Sequence, residues 1–253
     1  MKKLSLPLFF ILLLSLAACT APGERLDPVE ESYSIAAKKA PLSNPNNAFT
    51  TFKIRLENVA PGASGFVTPF SPGVWIVQKK NSAPLFVAGQ ADFGQGLENI
   101  AEDGSPATLD ANLQNHPKVR SKGIFAIPVG ASGPAPIFPG DAYEFYVTAK
   151  PNDYLNFATM FIQSNDLFVG PLAEGIALFD QNRNPISGDV TAQNFLWDAG
   201  TEVNEAPGVG PNQAPRQSGP NTGLDENGVV QIVNDGYTYP ALSEVIKITV
   251  TPL

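Results

Sequence analysis

From Thr51 onward the chain alternates, with Phe52, Ile54 and Leu56 on one side and Lys53, Arg55 and Glu57 on the other. A period of two is what a strand with one buried face requires. Similar alternation, or a short apolar run bounded by turn residues, predicts strands at 73–79, 84–88, 123–128, 142–149, 154–163, 174–180, 190–197, 229–233 and 244–251. Within 142–149, Tyr143, Phe145 and Val147 share a face. One short helix fits Gly96-Leu97-Glu98-Asn99-Ile100-Ala101. About ten short strands separated by turn signals predict an all-β fold, an antiparallel β-sandwich with long loops. No internal repeat is visible. Two Gly/Pro-rich stretches, 102–118 and 203–227, break the pattern. The second has little to bury beyond Val203, Val209 and Leu224. A loop of that length is uncommon unless it is functional or disordered, and its place directly after Glu202 favours function.

The first residues have a different character. Lys2 and Lys3 precede an apolar run from Leu4 to Leu16 that is short for a membrane span, the pattern of a signal peptide. Leu16-Ala17-Ala18-Cys19 follows, and it resembles the lipobox of bacterial lipoproteins. Its small residues suit a peptidase cleft, and the Cys19 thiol can take a thioether-linked diacylglycerol. The alternative is an ordinary secretory peptide with an incidental cysteine. Residues 1–18 are therefore expected to be a signal peptide, Cys19 a lipidation site, 19–48 a flexible tether and 49–253 the folded domain. As a coil the tether spans roughly 30 Å. Thr20 in place of Asp points, by resemblance to sorting rules, to the outer membrane, with the periplasmic or surface face left open. Cys19 is the only cysteine, so no intrachain disulfide can form.

Composition narrows the function. The 253 residues include Gly 22 and Pro 24, only 16% are charged, and the formal net charge is -8. Without Lys2 and Lys3 the balance is 14 basic against 24 acidic residues, or -10. An acidic chain without Lys/Arg clusters in its sequence disfavours nucleic acid as a partner. The same charge serves solubility or the attraction of cations equally well.

The candidate chemistry lies in Ser164-Asn165-Asp166-Leu167-Phe168-Val169-Gly170 and Leu196-Trp197-Asp198-Ala199-Gly200-Thr201-Glu202. Counting strands up and down, with a tight turn at Lys150-Pro151-Asn152-Asp153 and another at Gln181–Pro185, places Glu144, Asp166, Asp198 and Glu202 at one rim. Acids sharing a rim repel unless a cation or a raised pKa relieves them. Oxygen donors with no His or Cys nearby favour Ca²⁺ over zinc or copper, with Asn165, main-chain carbonyls and water completing the shell. Solvated loop-tip acids are the plain alternative. Asp180-Gln181-Asn182-Arg183-Asn184 starts like an EF-hand loop, but Pro185 replaces the required glycine, so it reads as a turn. Gly208-Val209-Gly210 lacks the third glycine of a dinucleotide fingerprint. His116, the only histidine, has no accompanying serine motif. Trp75 and Trp197 sit in apolar runs that read as core.

The two acidic segments resemble the spondin domain, the N-terminal module of F-spondin and mindin. Asp166 stands where that family has an Asp followed by an aromatic, Phe, Val and Gly. Asp198-Ala199-Gly200-Thr201-Glu202 matches its Asp-Ala-Gly-Thr-Asp with Glu as the last acid. The resemblance spans roughly residues 50–252. It implies a C2-like sandwich with a calcium site at its edge, completed by an acid from the strand before the first motif. Glu144 is the expected third acid, with Asp141 competing. Leu167 replaces the family tryptophan and the family cysteines are missing, so bacterial spondin-domain lipoproteins are the nearer likeness. The expectation is a non-catalytic, lipid-anchored envelope module for adhesion or binding, meeting an extracellular or envelope protein or glycan. A polysaccharide hydrolase using the same acids and a purely structural envelope protein are the alternatives.

Overall fold

Alternation in the first strand is realised in the computed structural model, which describes residues 48–253. The expected signal peptide, Cys19 and nearly all of the tether lie outside the described residues. In β1 (Thr50–Asn58) Phe52, Ile54 and Leu56 are buried while Lys53, Arg55 and Glu57 are half-exposed. The strands β2 (Phe70–Lys79), β3 (Val119–Phe125), β4 (Ala142–Ala149), β5 (Asp153–Phe161) and β6 (Leu167–Pro171) follow. After them come β7 (Ile176–Ala177), β8 (Gly188–Asp189), β9 (Asn194–Asp198), β10 (Gln231–Ile232) and β11 (Ile246–Pro252). They form two antiparallel sheets, an all-β sandwich. The smaller runs β4-β1-β11-β8; the larger runs β10-β9-β6-β5-β2-β3, with β7 also pairing β5.

Two apolar cores explain why the central strands of the larger sheet are buried throughout. Inward residues of β5, β6 and β9, such as Leu155, Phe157, Leu167, Val169 and Leu196, pack between the sheets with Phe52, Ile54, Ile248 and Val250. Outward residues Val74, Ile76, Phe168 and Trp197 pack instead under α1 (Leu97–Asp103), α2 (Ala107–Asn112) and the segment carrying Leu85 and Phe86. Burial on both faces removes alternation, which is why Leu167–Pro171 did not read as a strand. The expected strand 174–180 contracts to β7, and β6 takes the place beside β5. Residues 84–88 are not a strand: Phe86 sits with its ring centre 4.8 Å from Trp197 and acts as a plug for the second core. The region 102–118 contains α2, and a further short helix, α3 (Leu242–Val245), leads into β11. Trp197 is buried, with its indole N–H donated to Gly170 O at 3.1 Å. The turn at Asp180–Asn184 is closed by Asp180, whose side chain accepts the Asn184 N–H at 2.8 Å.

Candidate metal centre

Sheet register brings the two acidic segments together. β6 and β9 pair antiparallel with Leu167 opposite Asp198, so Asp166 and Asp198 leave the sheet at the same end. Ser164 shapes the approach by donating to Phe161 O at 2.6 Å and accepting the Leu167 N–H at 3.1 Å. The chain then curls around Asp166. Its Oδ2 accepts the N–H groups of Thr201 at 2.8 Å and Glu202 at 3.1 Å, and its Oδ1 accepts the Thr201 hydroxyl at 2.7 Å. Asp198 accepts the Gly200 N–H at 2.8 Å and the Asn204 amide at 2.8 Å.

Gly200 permits the curl because its φ is +71°, where a side chain is strained. A Cβ there would also sit 2.6 Å from Val229 N, on the segment that lies over the site. Gly200→Ala is expected to cost roughly 2 kcal/mol or more, from left-handed strain plus this clash. A urea midpoint unchanged from wild type would contradict that account.

The covering segment supplies a third acid. Glu226 and Gly228 donate their N–H groups to Thr201 O and Gly200 O at 2.9 and 2.7 Å. The carboxylate oxygens of Asp166, Asp198 and Glu226 thereby come within 4.8 Å of one another, a group that can hold a metal ion. Burial pushes the Asp166 carboxyl well up, and the Asp198 charge adds to the effect. Asp198 and Glu226 are also raised, first by burial, with neighbouring acids contributing to both. The ion pairs of Lys53, Arg55, Arg120 and Lys122 all lie elsewhere.

A further acid stands behind the group. Glu102 of α1 is buried, and its pKa is pushed up to about 8 by burial and by nearby acids. Thr201 Oγ1 lies 2.7 Å from both Glu102 Oε1 and Asp166 Oδ1. One hydroxyl proton can serve only one of them. A protonated Glu102 therefore donates to Thr201, which donates to Asp166. The donor set also includes an amide oxygen: Asn204 Oδ1 is buried beside Asp198 without a hydrogen-bond partner. Carboxylates and an orphaned amide oxygen suit a hard cation.

Of the residues expected from the sequence, Asp166 and Asp198 are brought together. Glu202 is buried beside them, but its carboxylate accepts from Asn165 at 3.2 Å and from the Gly223 N–H at 2.7 Å. Asn165 correspondingly braces the loop: it donates to Val203 O and accepts the Glu205 N–H. Glu144 is not brought to the group. Strand counting gave the direction of β4 correctly, but the turn after Ala149 crosses between the sheets, so β4 pairs with β1 rather than β5. Glu144 therefore faces Arg55, opposite it in register, and forms ion pairs with Arg55 at 3.0 Å and Lys53 at 3.5 Å. Asp141 is exposed and accepts the Phe138 N–H in a turn.

Glu226, Glu102, Thr201 and Asn204 escaped the sequence reading. Asn204 and Glu226 border the long stretch 203–227, which is built as an ordered lobe. Gln213, fully buried, donates to Ala206 O and accepts the Gly208 N–H, while Gln217 reaches Asp103 at the end of α1. The lobe returns to the site where Glu202 and Asp225 pair as an antiparallel bridge. Compared with known proteins, the chain matches no family model and no curated protein.

Proposed function

We propose that the chain is a non-catalytic, lipid-anchored module of the bacterial cell envelope, whose acidic rim is ordered by calcium for adhesion or ligand contact. The observation that carries the reading is the convergence of Asp166, Asp198 and Glu226 within 4.8 Å, with no basic side chain among the described residues paired to them. Asp166, Asp198 and Glu226 would hold the ion, and Asn204, whose amide meets Asp198, offers its unpartnered Oδ1 as a neutral donor. Bound there, calcium supplies charge neutralisation and fixes the loop. The chain's own residues do the rest. Thr201, Glu202 and Gly200 aim the two aspartates by main-chain donation, and the 203–227 lobe carries the exposed surface a partner would meet. The likeness of the two acidic segments to the spondin domain supports calcium over other hard cations. The leader and Cys19 support anchorage to the outer membrane, and the partner class is an extracellular or envelope protein or glycan.

Calorimetric titration of the protein with Ca²⁺ tests the reading. One site with a dissociation constant on the order of 10⁻⁴ to 10⁻³ M is expected, a range suited to extracellular calcium. Asp198→Asn is expected to abolish it while leaving the fold intact. Heat of dilution alone in the wild-type protein removes calcium from the proposal. Turnover on a panel of envelope glycans, lost in Asp198→Asn, would replace binding with hydrolysis.

A further inference from the structure

The pole opposite the acidic rim has the reverse charge. β5 runs from Asp153 at that pole toward the β5–β6 turn and Asp166 at the rim. Around its start the ends of β2 and β4, the beginning of β3 and the turn at Asp180–Asn184 bring together Lys79, Lys80, Lys118, Arg120, Lys150 and Arg183. These are six of the 16 basic residues in a chain of net charge -8. Acids lie among them as well. Asp153 is buried and engaged by Arg120, Asp180 closes its turn with Asn184, and Glu174 is exposed. A cleft of about 610 Å³ lies here between the edge strands β3 and β4, lined by Phe49, Trp75, Lys79, Arg120, Tyr146 and Thr148 among others. Phe49 and Tyr146 are 64% and 56% exposed, and the Lys150 ammonium sits 5.8 Å from the Phe49 ring centre.

Exposed aromatics among lysines and arginines are the composition that settles at a bilayer interface, where rings enter the headgroup layer and cations meet lipid phosphates. The described chain begins at this same pole, at Ala48 and Phe49, so the connection to residues 1–47 leaves from it. We infer that this basic pole is a docking face for the surface of an anionic phospholipid bilayer, which turns the acidic rim away from the membrane. The inference goes beyond the calcium reading and does not depend on it.

Hydrogen exchange on the full chain mixed with vesicles tests it. β3 and β4 are edge strands, so their outward amides exchange freely until something covers them. Residues 118–121 and 146–150 are expected to gain protection on phosphatidylglycerol-containing vesicles and not on pure phosphatidylcholine. That protection is expected to vanish at high salt and in Lys80→Glu/Lys118→Glu, and to persist in Lys247→Glu, a reversal on β11 outside the pole. Protein that rides on both vesicle types with these segments unprotected overturns the docking face while leaving the lipid anchor standing. Protein that stays off both vesicle types overturns it as well. Equal protection by inorganic phosphate in solution overturns the bilayer as its source.

Discussion

Asp166→Ala is expected to destabilise the metal-free protein by about 3–5 kcal/mol, whereas Asp166→Asn is expected to cost less than about 1 kcal/mol. The difference follows from what each side chain leaves behind. Asp166 is fully buried and accepts two main-chain N–H groups and one hydroxyl. Alanine orphans the N–H groups of Thr201 and Glu202 at the base of the loop, and each buried unpaired donor costs about 1–3 kcal/mol. Asparagine keeps the volume. Its carbonyl can accept both N–H groups, and its amide can donate to Thr201 Oγ1, which then donates to Glu102. All partners stay satisfied, but one negative charge is gone from the group that would hold a cation. Urea denaturation in chelator reads the first effect and calcium titration the second. Equal stability losses for the two variants would show that the hydrogen-bond account of Asp166 is wrong.

That dual role marks how far the site was legible in the sequence. Turn residues beside acids at the ends of apolar runs were enough to single out Asp166 and Asp198, because such residues leave a sheet at its edge. The sandwich followed from the number of short alternating runs, and β1 and β4 lie close to where their alternation put them. What failed was sheet membership. A turn such as Lys150–Asn152 looks the same whether it joins neighbours in one sheet or crosses between two, so strand counting alone places Glu144 with acids that its sheet does not carry. Glu226 was illegible for another reason. It reaches the site through the return of the 203–227 lobe, held by polar contacts such as those of Gln213, which leave no hydrophobic period to read. Glu102 lies in a short helix that covers an outer core, and its hydrogen bond to Thr201 is what ties it to Asp166. Long-range polar contacts of this kind carry little local signature, whereas the strand pattern carries a strong one.

In chelator, stability is expected to fall as pH rises from about 5 to about 8, and calcium is expected to oppose that fall. Glu102, Asp166, Asp198 and Glu226 all have folded pKa values raised above the ordinary carboxylate range, chiefly by burial. Between the unfolded and folded values, the folded chain holds protons that the unfolded chain has released. The folded state is then penalised as pH rises through that window, and the penalty is absent below it. For Glu102, which ionises near 8 rather than near 4.5, the penalty reaches at most ~5 kcal/mol. Glu102→Gln removes this titration, and its amide can still donate to Thr201. It is therefore expected to raise the melting temperature in chelator at pH 8, to change it little at pH 5, and to flatten the profile between. A bound cation works in the opposite direction, because it favours the ionised carboxylates. Protons compete with it at pH 5 and yield to it at pH 8. At a concentration 100 times its dissociation constant it would add about 2.7 kcal/mol. Melting curves of wild type, Glu102→Gln and Asp198→Asn, each in chelator and in calcium across that range, separate the two effects. The calcium-induced shift is expected to grow with pH in the first two proteins and to be absent from the third. A flat wild-type profile in chelator would mean that these carboxyls are not protonated in the fold, and a calcium shift retained in Asp198→Asn would move the ion to another part of the molecule.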